Sequence, residues 1–144
     1  MGCARLEGMS DDASRDYLEF PEPDLVLMHA SRTPSSLALL TERLRSISER
    51  GRFYMIIDFT GMKGGFDAEA REKGPNMIKP EWISGCAYVN ASMPIRLALK
   101  VINLTMFLAG RADFPTEFVD SMEKAHATIA RFRAEAAAKS KTGT

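Results

Sequence analysis

The chain has 144 residues, enough for one domain and too few for two of ordinary size. Hydrophobic residues make up 45% and charged residues 26%, a globular balance whose core needs neither a metal nor a disulfide staple. Nineteen basic side chains offset nineteen acidic ones, so the basic excess of a dedicated nucleic-acid binder is missing.

The two cysteines, Cys3 and Cys86, form no C-x-x-C pair, and His29 and His126 have no ligand partners clustered near them in sequence. The pattern predicts a cytoplasmic chain without a metal or other cofactor. The opening MGCARLEGMS lacks the apolar core of a signal peptide, and Leu6 stands where a myristoylation signal wants Ser or Thr. Residues 1–24 carry two basic and seven acidic groups, net −5, and residues 131–144 four basic and one acidic, net +3. Solvated termini account for both. The expected organisation is a flexible acidic leader over 1–15, one α/β domain over 16–133 and a flexible basic tail over 134–144.

In chain order, Tyr17–Phe20 is a short apolar-rich run that Pro21 and Pro23 turn back. Leu25–Ala30 reads as a buried strand and antiparallel neighbour of the first. Thr33 and Pro34 open a helix with Leu37, Leu40, Leu44 and Ile47 on one face, and Gly51 closes it. Phe53–Phe59 is apolar on both faces up to Asp58, the mark of a central strand covered by helices. Asp67 caps a helix that Gly74-Pro75 breaks or kinks, leaving two short helical pieces over 67–79. Ile83–Val89 is a strand, Ser92 and Pro94 launch an apolar helix that stops at Gly110, and Glu117–Val119 is a short strand. Asp120 and Glu123 resemble a capping box for a last helix with Met122, Ala125, Ile129 and Phe132 inward. Such alternation predicts a mostly parallel sheet with right-handed crossovers.

This order of elements, the strand end IIDFTGM and the block SGCAYVNASMPIRLALKVINLTMFLAG with TEFVDSMEKAHATI resemble the SpoIIAA-like proteins of the STAS/SEC14-like group, over roughly residues 17–132. The resemblance implies a single α/β domain, a five-stranded mixed sheet with about four helices, and no established enzymatic activity. Among the wider relatives, anti-anti-sigma factors carry a phosphorylatable Ser after the central strand and bind a regulatory kinase. SEC14-type domains hold lipids beneath a movable helix, and membrane association is a property considered for the SpoIIAA-like branch. Here the phosphoswitch pattern is broken. Thr60 is the only hydroxyl between Asp58 and Arg71, and no Asp-Ser pair occurs.

Asp58, Thr60, Gly61, Gly64 and Gly65 form a candidate regulatory loop at the carboxyl end of the central strand, where open α/β sheets bind ligands. G-x-x-G-G is not a phosphate-binding P-loop, and glycines at positive φ in a turn explain it more simply. No nucleophile, base and orienting group come together along the chain, so no enzymatic activity is expected.

The segment 95–108 has one polar stripe, Arg96, Lys100 and Asn103; the rest except Thr105 is apolar. That arc is wider than a surface helix buries on one side, while 14 residues span about 21 Å, too short for a bilayer. The candidate binding residues are Trp82, Arg96, Leu99, Lys100, Ile102, Met106 and Phe107. The first expectation is a lipid, another apolar small molecule or a membrane surface held through the 94–109 helix, placing the chain at times on the membrane periphery. The alternative is a regulatory protein–protein module that uses the helix to form a homodimer or dock a signalling partner.

Overall fold

The computed structural model describes residues 18–30, 37–61, 79–110 and 114–142. Within these, β1 is Leu18–Glu22, β2 Leu25–His29, α1 Leu37–Ser48, β3 Phe53–Asp58, β4 Ile83–Val89, α2 Met93–Leu108, β5 Thr116–Val119 and α3 Met122–Thr142. A single 3₁₀ turn, Pro80–Trp82, leads into β4. The five strands form one sheet in chain order, with β1 antiparallel to β2 and every other neighbour parallel. The expected mixed α/β sheet is therefore present, with three α-helices among the described residues against about four expected. The helical pieces expected over 67–79 lie outside the described residues except for residue 79, which is not helical, and Thr33 and Pro34 lie outside them too.

Because strand order follows chain order, right-handed crossovers place their helices on one face of the sheet. There Val26, Met28, Phe53, Met55, Phe59 and Tyr88 meet Leu44 and Ile47 of α1 and Ile95 and Leu99 of α2. The opposite face, with Leu25, Leu27, Tyr54, Ile56, Ala87 and Val89, is covered by Ala125, Ile129 and Phe132 of α3. The alternation of side chains along β2 and β3 assigns neighbouring residues to the two cores, which is why both strands read as continuous apolar runs.

Several local expectations are adjusted. Pro21 does not end β1 but sits inside it, where the register against β2 shifts between Glu19 and Glu22. An edge strand tolerates this, since its outward N–H has no ladder partner to lose. The cap of α3 is Ser121, not Asp120: Ser121 Oγ accepts the Lys124 N–H at 3.1 Å. Asp120 instead pairs with Lys124 Nζ at 2.9 Å. The last helix also continues to Thr142, so the segment 134–142 read as a flexible tail is helical, as its Ala- and Lys-rich composition favours.

Polar contacts fasten the middle of α3 to both edges of the sheet. Arg133 reaches the β1–β2 turn, with Nη1 3.0 Å from Glu22 and Nη2 2.5 Å from Asp24. On β5, Glu117 accepts hydrogen bonds from Arg131 at 2.5 Å and from the Thr128 hydroxyl at 2.8 Å. Those bonds, Arg131's first, hold the Glu117 carboxyl below its ordinary value of 4.5. A carboxylate depressed in the folded state contributes stability above its unfolded value, and that contribution fades as pH falls through the folded one. Glu117→Gln is thus expected to lower the melting temperature by a few degrees at neutral pH. Melting curves recorded downward from pH 7 should show the gap to wild type closing below pH 4.5. A gap independent of pH would remove the electrostatic origin.

Candidate interaction surface

The helix α2 starts after Ser92, whose extended backbone carries no side-chain cap bond, with Pro94 in the first turn, where a missing N–H is harmless. It ends as Ala109 N–H donates to Thr105 and Gly110, at φ +72°, donates to Phe107. That left-handed position is open to glycine without strain.

Along its inner line, Ile95 is fully buried and Leu99 9% exposed. Ala98, Ile102, Asn103 and Met106 are half-buried. The outer line is apolar as well. Met93, Leu97, Val101, Leu104, Phe107 and Leu108 are 56% to 75% exposed. At 100° per residue, Leu97, Val101, Leu104 and Leu108 fall within one narrow stripe diametrically opposite Ile95 and Leu99. A helix pressed on a sheet by one face has no use for a second apolar face on the far side.

The two cations of the helix stand to one side of this stripe, and the sheet engages both. Arg96 Nε donates to the Ala91 carbonyl at 3.1 Å, and its guanidinium lies 5.2 Å from the centre of the Phe118 ring. Lys100 Nζ lies 6.0 Å from the same ring. Both lean toward β5, and residues 93–108 contain no carboxylate at all. Asn103 Nδ2 donates to the Tyr88 hydroxyl at 3.4 Å, a polar link between helix and sheet.

Of the candidate binding residues named from the sequence, only Phe107 and Lys100 are exposed. Leu99 belongs to the core, Ile102 and Met106 are half-buried, and Trp82 is half-buried against the core cluster, in the turn before β4. The outermost residues, Met93, Leu97, Val101, Leu104 and Leu108, were missing from that set. A helical wheel separates the two apolar lines, but only the sheet decides which one is inner.

At the carboxyl end of β3, Asp58 Oδ1 accepts the Thr60 N–H at 2.9 Å, and Thr60 Oγ1 accepts from Asn90 Nδ2 at 2.8 Å. Asn90 has φ +54°, a conformation asparagine tolerates, and Gly61 has φ +87°. Gly64 and Gly65 lie outside the described residues. His29 Nε2 is paired with the Glu19 carboxylate, and its Nδ1 lies 3.9 Å from Asp58 Oδ2. These bonds tie the ends of β1, β2 and β3 together; Glu19 and Asn90 carried no signal in the sequence. Burial pushes the Cys86 thiol up to about 12 and the Tyr88 hydroxyl still further, so both stay protonated. Among the described residues no group of three or more His, Cys, Asp or Glu side chains is placed to hold a metal ion, and no helix is long and apolar enough to cross a membrane.

Comparison with protein-family models, with curated proteins and with solved structures finds no match.

Proposed function

We propose that the chain is a non-catalytic interaction module on a SpoIIAA-like frame, which docks a protein partner on the outer face of α2. The observation that carries this reading is the second apolar line of the helix, turned away from the core and free of charge. Large contiguous apolar patches on a folded surface mark interaction sites. The mixed sheet with one antiparallel edge supports the assignment of the frame.

A protein partner suits this face better than the first expectation from sequence. An apolar ligand held beneath the helix would need the space where Ile95 and Leu99 meet the sheet core. A membrane surface would draw on a cationic fringe, and Arg96 and Lys100 are turned onto Phe118 instead. Enclosure of the Cys86 thiol, which stays protonated in the core, supports a packing role for it rather than that of a nucleophile.

A photo-crosslinking amino acid at Val101, compared with one at Ala130 on the exposed side of α3, tests the reading in living cells. The expected product is a discrete protein adduct at position 101 alone, abolished by Leu97→Asp. Adducts to lipid only, or none at 101 beyond those at 130, would overturn it.

A further inference from the structure

We infer that the partner is a second copy of this chain, bound through an antiparallel, two-fold packing of α2 on α2; this rests on the docking reading above. The exposed stripe Leu97, Val101, Leu104 and Leu108 has spacings of four, three and four, the seam along which one helix packs knobs into the holes of another. A two-fold interface must be self-complementary, each contact occurring twice with the roles exchanged. Running the two helices antiparallel about a point between Val101 and Leu104 sets Val101 against the partner's Leu104, and Leu97 against the partner's Leu108. Every seam position then meets an aliphatic side chain, with no charge buried.

The flanks are complementary too. On the β5 side of the stripe each copy adds Phe107, an exposed ring that extends the apolar contact. The other flank presents only Pro94, Ala98 and Thr105, small enough for close approach of the two helices. Antiparallel packing also opposes the two helix dipoles, which a parallel pair would align. Because the stripe lies opposite Ile95 and Leu99, the two sheets stay on the outer sides of the helix pair.

The area suffices. At roughly 100 Å² of apolar surface apiece, the six exposed side chains offer roughly 600 Å² per copy. Two copies therefore reach the roughly 1,200 Å² at which specific interfaces begin. A surface at that lower bound predicts a reversible dimer whose population depends on concentration.

Sedimentation equilibrium of the full chain over a range of concentrations is the first measurement, with a monomer–dimer isotherm expected. Leu97→Asp, with its fold checked by circular dichroism, should weaken dimerisation at least about 30-fold. Leu104→Gln, milder for the helix, should weaken it in the same direction. Orientation is read by mild oxidation of variants carrying Cys3→Ser. Leu97→Cys mixed with Leu108→Cys should give a disulfide-linked heterodimer, while neither forms a homodimer alone. Self-linking of Leu97→Cys as fast as the mixture would overturn the antiparallel arrangement. A wild-type chain that stays monomeric at every concentration would overturn the dimer itself. If the position-101 adduct is then a different protein, the docking reading survives and only the second copy falls. If the chain instead co-sediments with phosphatidylcholine–phosphatidylglycerol vesicles and yields lipid adducts, both fall.

Discussion

Leu99→Asp is expected to unfold the protein or cost it at least about 4 kcal/mol, whereas Leu97→Asp, two positions away, should cost no more than about 1 kcal/mol. Both replace a leucine of the same helix by the same acid, so helix propensity falls equally, by a few tenths of a kcal/mol. What differs is the far end of the side chain. Leu99 ends in the cluster formed with Met55, Phe59, Tyr88 and Ile95, where a carboxylate is stripped of its hydration and must stay protonated or drag water in. Leu97 is 56% exposed on the opposite side, where a carboxylate keeps its hydration. Chemical denaturation at low protein concentration checks the pair, because self-association would otherwise add an apparent penalty to Leu97→Asp. Equal losses at both positions would mean that the assignment of inner and outer lines is wrong.

Gly85→Val is expected to lower stability by roughly 3 kcal/mol, a fall of roughly 10 °C in melting temperature for a chain of this size. Gly85 lies in the middle of the sheet, paired with Tyr54 of β3 and facing α3. A β-carbon there would stand 2.7 Å from Cδ2 of Phe132 and 3.0 Å from Cδ1 of Tyr54. Both rings are buried, and Tyr54 also carries the Arg133 guanidinium 5.5 Å above it, so neither is free to swing away. Phe132 of α3 rests on the sheet only because position 85 has no side chain. Phe132→Leu in the same chain should recover part of the loss, a non-additivity expected of residues in direct contact. Thermal melts of the two single variants and the double variant measure it. Additive losses would show that the clash is relieved elsewhere.

Much of this architecture is legible in the residues. The run from Phe53 to Asp58, apolar on both faces up to its last residue, reads as a central strand, and it and the strand Ile83–Val89 both stand where expected. Pro94 and Gly110 bracket α2 because one fixes φ at a position that needs no N–H and the other supplies a left-handed stop. The substitution of Ser121 for Asp120 as the cap of α3 was not legible: both are good caps, and the choice depends on where β5 releases the chain.

The working surface divides in the same way. Sequence alone determined that residues 95–108 are apolar over more arc than one contact can cover, since periodicity is a property of the residues themselves. It also determined that no serine stands between Asp58 and Arg71. Only the tertiary structure decided that Leu99 is core while Leu97, Val101, Leu104 and Leu108 face outward, and that Arg96 and Lys100 lean onto Phe118. Periodicity fixes the angle between residues on a helix but not the rotation of the helix about its axis. That rotation is set by which line fits the sheet, through contacts between residues far apart in the chain.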